Sequence, residues 1–196
     1  MHNPLAEKLK NKNIILASQS PRRKSLLEGM NIPFVIKIKD IDESYPPTLI
    51  GADIAEFLSK KKSEAFSNEL QKNDILITAD TIVWHNNKVL NKPQNIIEAK
   101  EMLQCLSGLM HTVYTGVTLC TLEKTNTFSS CTNVWFKNLQ NAEIDFYINK
   151  FKPLDKAGSY GIQEWIGYIG IEKIEGCYFN VMGLPTSMLY GALLNF

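Results

Sequence analysis

The stretch "DILITADTIVW", Asp74–Trp84, constrains this chain more than any other. Its isoleucine, leucine, threonine and valine content reads as a β-strand. A run this apolar belongs to a strand buried on at least one face. Yet Asp80 stands in the middle of it. A carboxylate there needs a partner, a metal, or a place at the edge of a functional site. One reading is a structural aspartate bonded to neighbouring backbone. The other makes Asp80 a metal ligand or general base, with Thr81 beside it as a polar contact.

Strands and helices alternate around this run. Asn13–Ala17 is a short apolar strand. Ser20 suits an N-cap and Pro21 the first helical position, so Arg22–Glu28 follows as a short helix ended by Gly29. Pro33–Lys39 alternates as a strand, and Ala52–Leu70 carries an apolar helical stripe of Ile54, Phe57, Leu58, Ala65 and Phe66. Asn86–Asn87 marks a hairpin turn. A helix starts at Asn95, with Glu98 completing a capping box, buries Ile96, Ala99, Leu103 and Leu106, and ends at Gly108. Val113–Thr121 and Phe128–Phe136 are strands joined by a polar turn, and Ala142–Lys150 is a helix. Tyr168–Ile174 and Cys177–Val181 read as strands around Glu175–Gly176, and Leu184–Leu194 as a closing helix. Hairpins beside βαβ-like stretches predict one compact α/β unit over residues 1–196, with a mixed sheet.

The chain has 196 residues, of which 44% are hydrophobic, enough for a proper core. Its net charge of +1 argues against general binding to nucleic acid or an anionic membrane, so any anion recognition is local. The first residues lack an apolar signal region and no apolar run reaches membrane length, which predicts a cytoplasmic protein. The four cysteines are scattered without C-x-x-C spacing and predict free, mostly buried thiols in a reducing compartment. His85 and His111 have no partner at helical spacing, and there is no G-x-S-x-G, Walker or G-x-G-x-x-G pattern.

Local anion recognition has one candidate in "SQSPRR", Ser18–Arg23. A helix N-terminus offers free N–H groups and the positive end of its dipole. Ser18, Ser20, Arg22 and Arg23 add hydroxyl and guanidinium donors suited to phosphate. The same residues also fit a plain cap with solvated arginines. Lys92 precedes a capped helix and Lys62 ends a run of three lysines; each alone is ordinarily solvated. The loop "PLDKAGSYGIQ" places Asp155, Lys156 and two glycines before Gln163, whose carboxamide can read a base edge. Its plainer reading is a tight turn with an Asp–Lys surface pair.

Taken in order and spacing, "LASQSPRRKSLL", "ITADTIVW", "VLNKPQN…EAKEML..LSG..HTVYTGV" and "PLDKAGSYGIQ…IEKIEGCYFNVMGLP" resemble the Maf family of nucleoside triphosphate pyrophosphatases, from about Ile14 to Leu194. The resemblance implies an α/β fold: an elongated mixed β-sheet with flanking helices forming a cleft between two lobes, like the inosine triphosphate pyrophosphatases. It implies hydrolysis of a nucleoside triphosphate to the monophosphate and pyrophosphate, dependence on Mg²⁺ or Mn²⁺, a homodimer, and a link to cell-division arrest and nucleotide-pool cleaning. By the same resemblance Asp80 is the proton acceptor and, with Glu43, the metal-associated acid. Arg22, Thr81 and Gln163 match the positions that mark the dTTP/UTP branch. Ser18, Arg23, Lys62 and Lys92 match phosphate-contacting positions, with Lys60 and Lys61 as alternatives to Lys62. The chain departs from the family's pattern at Phe151-Lys152, Glu164 and Cys177, which bears on substrate preference and loop geometry. Alternatives are the same chemistry on methylated or deaminated purine triphosphates, and a nucleotide-sensing division inhibitor without turnover.

Overall fold

The computed structural model describes residues 3–196. A short helix α1 (Pro4–Lys8) leads into strand β1 (Asn13–Leu16), helix α2 (Pro21–Gly29) and strand β2 (Val35–Ile36). A loop then reaches helix α3 (Ala52–Glu64), followed by the long strand β3 (Asp74–His85) and its hairpin partner β4 (Lys88–Leu90). Next come helix α4 (Ile96–Leu106), the paired strands β5 (Met110–Cys120) and β6 (Thr125–Phe136), and helix α5 (Asn141–Phe151). The chain closes through α6 (Trp165–Gly170), β7 (Ile171–Glu175), α7 (Tyr178–Met182) and α8 (Thr186–Leu194).

The strands form a mixed seven-stranded sheet in the order β2-β1-β3-β5-β6-β7, with β4 also on β3. β1 runs parallel to both β2 and β3, whereas the β3–β5, β5–β6 and β6–β7 pairs are antiparallel. The mixed α/β expectation is met.

The edge of β3 determines where a site can form. Residues 74–77 pair with β1, and residues 83–85 pair with β4. Among the described residues no strand covers 78–82 on that edge, and Asp80 and Thr81 lie in this opening. Side chains alternate across a strand. Thr78, Asp80 and Ile82 therefore face α3: the Thr78 hydroxyl donates to the Ser59 carbonyl at 2.7 Å, and Ile82 packs with Ile54, Ala55 and Leu58. Ile77, Ala79, Thr81 and Val83 face the other side. There, one apolar cluster joins β1, α2 and α8 through Leu16, Leu27, Ile77 and Leu189. A second joins β5, α4, α5 and β6 through Val113, Leu103, Tyr147 and Phe136.

Local capping follows the sequence. The Ser20 hydroxyl accepts the Arg23 N–H at 3.4 Å, with Pro21 at the helix start. Asn95 accepts the Glu98 N–H at 3.0 Å, but the Glu98 carboxylate turns to the Gln94 N–H at 2.8 Å instead of closing a capping box on Asn95.

Four element assignments and two burial expectations need correction. Cys177–Val181 is not a strand but the N-cap and most of helix α7, and buried Asn180 fastens it to the sheet: its amide donates to the Val113 carbonyl at 3.0 Å and the Thr132 hydroxyl at 2.9 Å. Tyr168–Ile174 splits between α6 and β7. The Pro33–Lys39 strand shrinks to two exposed residues, since its only partner, β1, has four. The helix expected over Ala52–Leu70 ends at Glu64 and passes into a 3-10 turn at Ser67–Glu69. In α4, Ile96 is exposed, not buried. The cysteines are free as expected, yet Cys105 and Cys131 are exposed and the other two are half-buried. Among the described residues no helix is long and apolar enough to cross a membrane.

One core group makes the fold acid-sensitive. His111 is buried and shares a hydrogen bond of 2.7 Å with the Tyr160 hydroxyl. Burial, and then the neighbouring His85, push the His111 imidazole down to about 3 from 6.5. The unfolded chain therefore binds a proton that the native chain refuses, and stability falls as pH drops below 6.5. Between about pH 6 and 4 this group alone removes up to about 1.4 kcal/mol per pH unit. Denaturant titrations across that range should give a shallower slope for His111→Gln than for the unmodified protein.

Candidate active site

A cleft of about 850 Å³ opens where β3 is uncovered. Ser18, Arg22, Arg23, Glu43, Lys62, Asp80, Thr81, Lys92 and Gln163 all line it, whereas Lys60 and Lys61, the alternatives to Lys62, do not. They come from separate elements: α2 and the short segment before it, the loop ahead of α3, α3 itself, β3, the segment after β4, and the turn before α6.

Asp80 and Lys62 form the floor. The Lys62 ammonium lies 2.5 Å from Asp80 Oδ1 and 2.7 Å from Glu43 Oε1. Lys92 is 3.9 Å from the other Glu43 oxygen. Burial works to raise the Glu43 carboxyl, but Lys62, Lys92 and Arg23 outweigh it and hold the group below its ordinary value. Of the three adjacent lysines, Lys60 is exposed and Lys61 pairs with Asp42 at 3.0 Å. Only Lys62 falls on the helix face toward β3, since successive residues on a helix point about 100° apart. Asp80 Oδ2 makes no hydrogen bond among the described residues and is open to the cleft.

The opposite wall is the N-terminus of α2. Arg23 donates through Nε to the Gly183 carbonyl at 2.8 Å and through its terminal nitrogens to Thr81 Oγ1 at 3.0 Å and Ser18 Oγ at 3.5 Å. Thr115 Oγ1 donates to the Asn180 carbonyl at 3.0 Å, so at its 2.9 Å contact with Thr81 it must accept. Protons thus point one way, from Arg23 to Thr81 to Thr115 to the α7 backbone. Burial lowers the Arg23 pKa, partly offset by Asp80, but a guanidinium stays charged. Arg22 reaches across the cleft to Asp155 at 3.0 Å.

The third wall is the segment 155–164. Lys156 is not half of a surface pair, as its sequence neighbours suggest. It is buried, with Asp155 at 2.7 Å and Glu164 at 3.2 Å. Gln163 Oε1 is buried without a hydrogen-bond partner among the described residues. An acceptor left bare in this way is costly unless a ligand satisfies it. Lys156, Glu164 and the Gly183 carbonyl were not assigned to the site from the sequence. Only "GLP" carried a signal for the last: Gly183, at φ +109°, is the C-cap that turns α7 back toward Arg23.

Asp80 and Glu43 flank the Lys62 ammonium with one oxygen each, and their remaining carboxylate oxygens are hard donors of the kind a divalent cation takes. Mg²⁺ is typically held by one or two carboxylates together with water and substrate phosphate oxygens. Among the described residues no group of three or more acidic, histidine or cysteine side chains forms a self-sufficient metal cage.

The fold and cleft define an α/β protein in which a carboxylate pair is ringed by cations drawn from several elements. Residues 13–196 match the family described as Maf-like protein, and the chain belongs to that family. It is 50% identical over 181 residues to a dTTP/UTP pyrophosphatase of Bacteroides thetaiotaomicron, covering 92% of this chain and 94% of the relative. Proteins of the same name from Flavobacterium johnsoniae (47% over 186 residues, 95% and 96% covered) and Parabacteroides distasonis (48% over 193 residues, 98% and 100% covered) are similar throughout. Among solved structures, the Staphylococcus aureus Ham1 protein aligns with 92% of this chain and 100% of its own at 17% identity, with a TM-score of 0.45.

Proposed function

We propose that this protein hydrolyses dTTP and UTP to the nucleoside monophosphate and pyrophosphate. The observation that carries the reading is the convergence of Arg22, Arg23, Lys62 and Lys92 around the Asp80–Glu43 pair in one cleft. The names and identity of the relatives support it.

A triphosphate brings about four negative charges near neutral pH, which demand cations and directed donors. Ser18, Arg22, Arg23 and Lys92 bind its phosphates, helped by the positive end of the α2 dipole and by the Arg22 N–H at its start. Asp80, through its open Oδ2, takes a proton from the attacking water. Lys62, 2.5 Å from Asp80 Oδ1, orients the carboxylate for that role, and the cationic wall stabilises charge on the departing pyrophosphate. Asp80 and Glu43 would hold Mg²⁺ or Mn²⁺, which when bound would neutralise phosphate charge.

Gln163 sets the base. Its unpartnered oxygen accepts the imide N3–H of thymine or uracil. Cytosine has a bare acceptor nitrogen at that place and leaves the Gln163 oxygen unpaired, a difference worth about 1–3 kcal/mol, or roughly tenfold to a hundredfold. Thr81 contributes by fixing Arg23. The homodimer belongs to the same proposal, and light scattering on the purified protein tests it.

The test is a panel of triphosphates with pyrophosphate detection, run with each metal. The expected result is kcat/KM for dTTP and UTP above that for dCTP and CTP by about tenfold or more. Preference for a methylated or deaminated purine triphosphate would reassign the base pocket, and binding without hydrolysis would make the protein a sensor.

A further inference from the structure

Gln163 can discriminate only if its backbone is held still, and one carboxylate does much of the holding. Glu164 follows Gln163 and caps α6. Its Oε1 pairs with Lys156 at 3.2 Å, and its Oε2 accepts the Tyr147 hydroxyl. The Tyr147 oxygen in turn accepts the Gly161 N–H at 3.0 Å. Burial, reinforced by Glu164, pushes the Tyr147 phenol far up, so it remains a donor. Two glycines make room. A Cβ on Gly161 would sit 2.8 Å from Glu164 Cδ, and one on Gly167 would sit 1.8 Å from the Ile162 carbonyl oxygen. The Glu164 side chain thus ties together the start of the segment at Lys156, its turn at Gly161, and helix α5 through Tyr147. Gln163 lies inside that tie and lines the cleft, its carboxamide oxygen buried without a hydrogen-bond partner among the described residues.

We infer that Glu164 is a positioning residue for base recognition, holding the Gly161–Gln163 turn against Lys156 and Tyr147 so that Gln163 meets the pyrimidine imide in a fixed orientation. The inference rests on the pyrophosphatase reading above. Neither Glu164 nor Tyr147 needs to touch substrate. Their loss therefore acts on base selection and leaves phosphate binding alone.

The experiment compares Glu164→Ala, Glu164→Gln and Tyr147→Phe with the unmodified protein. It measures kcat and KM for dTTP and dCTP, and the inhibition constant of inorganic tripolyphosphate, which fills only the phosphate part of the cleft. Glu164→Ala should lower the dTTP-to-dCTP ratio of kcat/KM by about tenfold, mainly through a higher KM for dTTP, while tripolyphosphate inhibition changes less than about twofold. Glu164→Gln keeps shape and an acceptor and should recover most of the ratio. Tyr147→Phe, which removes one oxygen and serves if Glu164→Ala fails to fold, should shift the ratio the same way. An unchanged ratio, or tripolyphosphate inhibition weakening in parallel with dTTP binding, overturns the inference. Absence of dTTP turnover by the unmodified protein would instead remove the underlying reading, and the inference with it.

Discussion

Asp80→Asn should lower turnover of dTTP by about a thousandfold while the protein stays folded, since removing a positioned general base typically costs 10²–10⁴. Asparagine has the same size and cannot take the proton from water. Lys62 keeps Glu43 as a partner at 2.7 Å, so the substitution does not strand a buried charge. Steady-state pyrophosphate release, circular dichroism and calorimetric binding of dTTP together check this. Pyrophosphate release at the unmodified rate would remove Asp80 from the mechanism.

Gly116→Ala should be strongly destabilising for a single added methyl group. Gly116 lies on β5 directly opposite Asp80. A Cβ there would stand 2.2 Å from the Ala55 carbonyl oxygen and 2.6 Å from the Glu56 nitrogen, both backbone atoms of α3. Backbone cannot swing aside as a side chain does, so the helix must lift from the sheet, at a cost of about 3 kcal/mol. That helix carries Lys62, so activity should fall with stability. Gly191→Ala is the control: nothing lies within 4 Å of a Cβ there, and within α8 the change should raise stability by about 0.5–1 kcal/mol. Thermal unfolding of the two variants side by side separates close packing from a general intolerance of substitution.

Much of the site is legible in the sequence, for physical reasons that differ by residue. Asp80 announces itself because a bare carboxylate inside an apolar strand is costly. Ser20 and Pro21 announce a helix start, which places Arg22 and Arg23 at its positive end. Lys62 is different: three consecutive lysines look alike until the rotation of α3 against β3 is known. Lys156 was hidden by its neighbour, because Asp155 beside it suggests a surface pair, while Glu164 reaches it only through the folded turn. In the fold, the tyrosine, phenylalanine and valine of 178–181 favour a strand locally. The Asn180 amide, satisfied only by Val113 and Thr132 on neighbouring strands, overrides that preference. The opening in β3 at 78–82 depends on how far β1 and β4 extend, which no local pattern states.

Product analysis by phosphorus NMR tests the central claim most directly. The unmodified protein, incubated with dTTP and Mg²⁺, should release dTMP and pyrophosphate in equal amounts. Release of dTDP and inorganic phosphate, or dTTP left intact, would contradict it.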